Sequence, residues 1–436
     1  MSDRTAAKSD VRSWGRVERG PFDVIKPQSP ADLAGMVQSE RPHLAMGALR
    51  SYGDTPLSRQ GAMLDMTGLN RLRAFDPDTG ILTADAGVTL SDIMKVFAPR
   101  GWFVPVTPGT RYVTLGGAVA NDIHGKNHHV AGTFGRHVTG LRLLRSDGAY
   151  DVTPDQPLFA ATVGGLGLTG VIETVSLRLE RVGSTYLSTE TLTLSCLDHF
   201  YDCSAESEAF EHTVAWLDCT ARGASMGRGV FTRSNWLQDG RFQAHDDPRR
   251  TVPVDAPGFV MNPITLKALN VAYRIKEACR PRTSVQHYSE VFHPLDAIAG
   301  WNRMYGPDGF YQYQCVIPLE AGREPLRRLL AIVSESGEGS TLAVLKLFGD
   351  VPSPGMLSFP RSGYTLALDF PNRGARTMTL MAQLDEVVAQ AGGRLYPAKD
   401  GRMERGLFEA GYPGLSQFRD WRDPACRSEF SRRMGL

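Results

Sequence analysis

Glycine placement constrains this chain more than any other feature. Within the first 172 residues glycine gathers in three clusters. The first is Gly47-Ala48-Leu49-Arg50-Ser51-Tyr52-Gly53-Asp54. The second runs from Pro108-Gly109-Thr110 into Thr114-Leu115-Gly116-Gly117-Ala118-Val119-Ala120-Asn121-Asp122-Ile123-His124-Gly125. The third is Gly164-Gly165-Leu166-Gly167-Leu168-Thr169-Gly170. Glycine tolerates φ > 0 and lets backbone approach a ligand closely. Successive free N–H groups in such turns form anion-binding nests. Any one cluster alone is explained by tight turns. Two or three in one lobe can hold a pyrophosphate and an attached ring system. The G-x-G-x-x-G fingerprint of a strand–helix turn is absent, and so is a Walker A motif.

Length and charge narrow the field. A chain of 436 residues exceeds one comfortable core, so at least two lobes are expected. Lys and Arg total 48 against 47 Asp and Glu, a net charge of +1, which argues against a dedicated nucleic-acid binder. No run of about 18 apolar residues exists to span a bilayer. The start, MSDRTAAKSDVRSWGRVERG, is polar and does not read as a secretory signal. Cys196, Cys203, Cys219, Cys279, Cys315 and Cys426 form no C-x-x-C pair, and no ligand set completes around His124, His128 and His129. No metal is expected.

Ser29-Pro30 reads as an N-cap and first helical position, and Thr89 or Ser91 caps a helix ending near Phe97 before Pro99 and Gly101. Strands are expected at 62–66, 71–75, 81–86, 102–106, 138–144 and 171–179, with turns at 76–80 and 146–148. From about Gly183 the glycine loops thin out and strands follow at 188–195, 213–219, 309–318 and 362–371. Residues 236–257 read as a long loop. Ile264, Ala268, Val271, Ala272 and Ile275 have helical spacing. This predicts an amphipathic helix packed on the core; the alternative is a lid or membrane-facing helix beside a site for a greasy substrate.

RSYGD (50–54), PGTRYVTLGGAVANDIHGKNHH (108–129) and TVGGLGLTGVI (162–172) resemble the loops of the vanillyl-alcohol-oxidase-type FAD-binding oxidoreductases. FHPLDAIAGWNRMYGPDGFYQYQCVIP (292–318), LKLFG (345–349) and RLYPAKD (394–400) extend the resemblance nearly end to end. It is strongest to the branch that oxidises a pentose on a polyprenyl phosphate. It implies an α+β, two-lobe FAD-binding PCMH/VAO-type fold, with an FAD lobe built from residues 1–183 and 394–436. The inserted substrate domain, 184–393, would be built on an antiparallel sheet.

The same resemblance implies cofactor contacts at Gly47, Arg50, Ser51, Tyr52, Gly53, Asp54, Gly109, Thr110, Thr114, Gly116, Gly117, Asn121, His124, Gly125, Gly167, Gly170, Ile172 and Tyr396. Members that link FAD covalently do so through a His where this chain has Arg50, so the FAD is expected to be noncovalent. Lys399 is implied as the cation or base at the reacting hydroxyl, with His124 and Tyr52 beside it. Lys126, Trp216, Lys346, Thr365 and Ala367 would line the substrate side. Gln312 and Gln314, two residues apart on a strand, share one face, and their amides suit sugar hydroxyls. Asn302 is a further candidate. The family pattern has an Asn, a Cys, a Cys and a Gly where this chain has Thr365, Ala367, Asn121 and Leu49.

The reaction implied is oxidation of the 2-hydroxyl of a polyprenyl-phosphate-linked pentose, the first half of a ribose-to-arabinose epimerisation. An NADH-dependent short-chain reductase would be the partner. The location implied is cytoplasmic, with peripheral contact at the inner membrane. Two alternatives stay open: a soluble sugar, alditol or aldonolactone oxidase acting on a small sugar, and a catalytically inactive flavin-binding protein.

Overall fold

The computed structural model describes residues 8–258 and 260–436; the first seven residues of the polar start lie outside the described residues. Local signals set the first elements. The Ser29 side chain accepts from Asp32 N–H and opens helix Pro30–Val37, with Pro30 in its first turn. Thr89 and Asp92 form a reciprocal capping box at the start of helix Leu90–Phe97. Gly101, at φ 74°, ends the turn that follows.

Three sheets carry the architecture. Val24–Ile25, Ala62–Asp65 and His43–Met46 form a small parallel sheet. A five-stranded antiparallel sheet runs in the order Gly148–Val152, Val138–Arg145, Val171–Arg178, Ile81–Asp85, Leu72–Asp76. The third sheet has eight strands, all antiparallel. Its order is Thr283–His287, Tyr186–Leu194, Gly229–Trp236, His212–Leu217, Ala343–Phe348, Gly363–Pro371, Phe310–Pro318, Arg394–Leu395. One face of this sheet is apolar. Leu345, Leu366, Leu368, Cys315 and Ile317 pack there against Phe200, Leu326, Leu330, Leu380 and Leu384 of three covering helices. Burying both surfaces is the main stabilising term for such a layered α+β fold. The opposite face is left for the site.

The C-terminal residues fold back on the N-terminal sheets. Asp423 accepts from Ser146 N–H at 2.7 Å, and Glu429 accepts from Arg59 N–H at 2.9 Å. Arg433 bridges Asp54 at 2.8 Å and Asp400 at 3.1 Å.

Three expectations change. The strand at 102–106 shrinks to Trp102–Phe103, because Pro105 has no N–H for a ladder. In the 236–257 loop, Arg250–Thr251 pairs in parallel with Ile298–Ala299. Helix Pro263–Ala278 forms, but its apolar stripe does not face the core: Ile264 is 82% and Ile275 54% exposed. Among the described side chains of the helix, Leu266, Asn270 and Glu277 are the buried ones. Leu266 packs in an apolar cluster with Trp301 and Tyr305, and Asn270 donates to Ser340 O at 3.1 Å, so residues off the stripe hold the helix inward.

Candidate active site

A cavity of about 1040 Å³ lies between the glycine loops and the free face of the large sheet. Ligand pockets commonly span about 300–1,000 Å³, so this one admits a large ligand. Its two walls are built in different ways.

The first wall is backbone. After strand His43–Met46 the chain turns through Gly47 to Tyr52, with Leu49 at φ 52° in the left-handed region. Trp14 N–H donates to Ser51 O at 2.9 Å and Tyr52 N–H to Ala398 O at 2.9 Å, so this loop is fixed from both chain ends. A Cβ on Gly47 would stand 2.3 Å from Thr114 Oγ1. Thr114 caps helix Leu115–Ala120 by accepting from Gly117 N–H at 3.3 Å, which brings the first two glycine loops together. Gly109 has open space where a Cβ would stand. Ser51, Thr110, Gly116, Asn121, Gly125, Gly167, Gly170 and Ile172 complete this side.

Polar atoms on this wall lack partners. Arg50 Nε, Asn121 Oδ1 and His124 Nδ1 are buried without a hydrogen bond among the described residues. The Arg50 guanidinium sits 4.2 Å from the Trp14 ring and 5.3 Å from that of Tyr112. Buried polar groups are normally satisfied. A glycine cradle with open Cβ space and unpaired polar atoms therefore fits a phosphate-bearing ring cofactor such as FAD.

Gly53 and Asp54 stand apart from the other expected cofactor residues. Neither lines the cavity. A Cβ on Gly53 would lie 1.8 Å from Asp400 O, and Asp54 is buried against Arg433. Both tie the C-terminal segment to the first loop. Asn302 is also off the cavity wall and donates to Trp14 O at 2.9 Å.

The second wall is side chain. Strand pairing sets Lys346 opposite Thr365, Gln314 opposite Ala367, Gln312 opposite Asp369 and Trp216 opposite Val344. Alternate residues share a face, so the expected substrate residues on these strands come together over one surface. Trp216 Nε1 donates to Thr341 O at 3.0 Å, and its ring meets Tyr273 of helix Pro263–Ala278 edge-on at 4.6 Å. Gln314 donates from its amide nitrogen to His124 Nε2 at 3.0 Å and to Thr365 Oγ1 at 3.2 Å. Tyr396 donates to Asn121 O at 3.0 Å.

Three lysines converge here. Lys399 Nζ lies 3.9 Å from the centre of the Tyr52 ring. Lys346 Nζ donates to Gly125 O at 3.2 Å, and Lys126 Nζ donates to Val291 O. Burial pushes Lys346 down to about 7, helped by the charges of Lys126 and Lys399. Burial also pushes Lys126 and Lys399 down to about 8, with Asp369 opposing the shift of Lys399. His124 is driven well below its usual value by burial and then by Lys346, so its ring stays neutral. Burial raises the Tyr52 phenol well above its usual value.

Asp369 was not anticipated. It is fully buried and accepts from Gln312 Nε2 at 2.6 Å. Burial pushes its carboxyl up to about 7, against the lowering effect of Gln312 and Lys399. Its signal was an acid in SGYTLALDFP, on the same period-two face as Thr365 and Ala367.

Residues 23–153 match the family described as FAD binding domain, and the chain is an FAD-dependent oxidoreductase. It is 34% identical, over 98% of its own length and 97% of the other, to decaprenylphosphoryl-β-D-ribose oxidase of Mycolicibacterium smegmatis, and it belongs to that enzyme's family. It is also 35% identical to an uncharacterised protein of Streptomyces coelicolor, over 80% of this chain and 100% of that one. Likeness to L-gulono-1,4-lactone dehydrogenase of Mycobacterium tuberculosis is 27% over 44% of this chain and 46% of the other. The family expected from the loop motifs is thus the family found.

Proposed function

We propose that this chain oxidises the 2-hydroxyl of a pentose carried on a polyprenyl phosphate, as the first half of a ribose-to-arabinose epimerisation. One observation carries the reading: Lys399, Gln312 and Gln314 stand where the side-chain wall meets Tyr52 of the glycine wall, with Lys346 and Lys126 in the same cavity. The relative named for decaprenylphosphoryl-β-D-ribose supports the substrate class. An NADH-dependent short-chain reductase is the partner that would complete the epimerisation, and contact with the membrane would be peripheral.

FAD, when bound, supplies the acceptor for the hydride leaving the carbinol carbon. Gly47, Arg50 to Tyr52, Gly109, Thr110 and Thr114 would hold its pyrophosphate side, and Gly117, Asn121, His124, Gly125, Ile172 and Tyr396 would hold its ring. Arg50 cannot form a histidyl link, so the FAD is noncovalent. Lys399 takes the hydroxyl proton; its value near 8 lets it hold or release a proton in the working range. As a cation it also opposes negative charge developing beside it. Gln312 and Gln314 orient the sugar hydroxyls. Lys346 meets an anionic substrate oxygen, whose charge would favour its ammonium form. The lobe division at 183/184 agrees with the large sheet beginning at Tyr186, whereas at the other boundary that sheet runs past 393 and takes its edge strand from Arg394–Leu395, which moves the proposed return to the FAD lobe to after Leu395.

Anaerobic bleaching of the flavin tests the substrate. A short-chain prenyl-phospho-ribose analogue should bleach it far faster than free pentoses or alditols; equal rates would overturn the proposal. Trichloroacetic acid should release the yellow chromophore into solution, and colour kept in the pellet would disprove noncovalent binding.

A further inference from the structure

Helix Pro263–Ala278 is amphipathic in the reverse sense for a soluble protein. At 100° per residue, Ile264, Ala268, Val271, Ala272 and Ile275 fall within one stripe, and that stripe points away from the molecule. Asn270 and Glu277 point inward. A contiguous exposed apolar surface of this kind marks an interaction site.

Charge says what covers it. The exposed Lys267 and Lys276 flank the stripe on its two sides, with the half-buried Arg274 next to Lys267, and Arg280 and Arg282 follow within a turn or so. The helix's one acid, Glu277, is 7% exposed at its side chain and pairs with Arg280 at 3.3 Å. Lys267 has no ionic partner among the described residues. An apolar stripe between basic shoulders is the pattern of a helix lying in the plane of an anionic bilayer. Among the described residues no helix is long and apolar enough to cross a membrane.

The same helix borders the cavity. Tyr273, Lys276, Glu277 and Arg280 line it, and Tyr273 meets Trp216 of the side-chain wall. We infer that helix Pro263–Ala278 docks the protein on an anionic lipid surface and sets the cavity mouth against it. A lipid-linked sugar would then enter without its chain crossing water. The docking stands on the helix alone; only its use in delivery rests on the proposed substrate.

Co-sedimentation of the flavin-loaded protein with vesicles tests this. Vesicles of phosphatidylcholine with phosphatidylglycerol should carry the protein down; pure phosphatidylcholine should carry much less, and added salt should release it. The double variant Ile264→Glu/Ile275→Glu should lower partitioning by at least about ten-fold, with its flavin spectrum unchanged. Neither side chain lines the cavity. Absence of vesicle binding, or binding indifferent to the double variant, overturns the inference. So does a concentration-dependent dimer that the same variant abolishes, since a second copy would then cover the stripe. Bleaching by the water-soluble analogue is read separately: its failure with vesicle binding intact removes the substrate proposal and leaves the docking.

Discussion

The two walls of the cavity solve recognition by opposite means. The glycine wall presents backbone and empty space: Gly109 has nothing where a Cβ would stand, and Gly47 would collide with Thr114 if it had one. The sheet wall presents long side chains at every second residue, from Trp216 to Lys346 to Gln312. A backbone surface is specific through shape and is intolerant of any added atom. A side-chain surface can be rewritten one residue at a time without moving the sheet. Of this chain's four departures from its family's pattern, Thr365 and Ala367 are on the rewritable wall. Asn121 and Leu49 are the departures on the glycine wall, and Leu49 sits there in the left-handed region at φ 52°.

The largest effect expected from separating the walls is at Lys399. Lys399→Met should slow substrate-driven flavin bleaching by about 10²- to 10⁴-fold while FAD stays bound. Bleaching within about ten-fold of the parent would mean that the sheet wall does not carry the proton chemistry. The converse lesion is Gly109→Val, which adds atoms where only the cradle has room. FAD per chain should fall by about ten-fold or more with the far-ultraviolet circular dichroism unchanged, whereas Thr365→Val should keep its flavin. Loss of flavin in both would erase the distinction between walls.

Lys346 gives the sheet wall a pH signature of its own. Lys346 normally titrates at 10.5 and here at about 7. Between those values the unfolded chain binds a proton that the folded chain does not, so this lysine's contribution to stability rises as pH increases from 7 to 10.5. Below about 7 the full cost of burying the charge applies. Lys346→Met should therefore melt above the parent, by most at pH 7 and below, with the gap closing towards pH 10.5; a gap independent of pH would contradict the buried cation. The smallest effect is at Leu49. Relief of the left-handed backbone in Leu49→Gly is offset by glycine's chain entropy and lost packing, so chemical denaturation should show a change within about 1 kcal/mol.

Much of the glycine wall was legible because its signal is local. Clusters of glycine, the Ser29 and Thr89 caps and the two-residue spacing of Gln312 and Gln314 each need only neighbours in sequence. What escaped depends on distant partners. Gly53 and Asp54 looked like part of the cradle, yet they contact Asp400 and Arg433, hundreds of residues away. Asp369 gained its place from the register that sets it against Gln312. The stripe at 264–275 had a clear period, but a period defines a face without saying which side is wet.

The clamp formed by Asp54, Arg433 and Asp400 also orders events during synthesis. The first glycine loop is made early, but it is closed by Ala398, Asp400 and Arg433, which are made hundreds of residues later. Lys399 rides on that closing segment. A nascent chain therefore carries an unfinished cradle until residues 398–433 are made, and the proton-handling lysine arrives only with the piece that seals it. Loss of Arg433 removes its ion pairs to Asp54 and Asp400 together, so one distant residue holds both the first loop and the segment that carries Lys399.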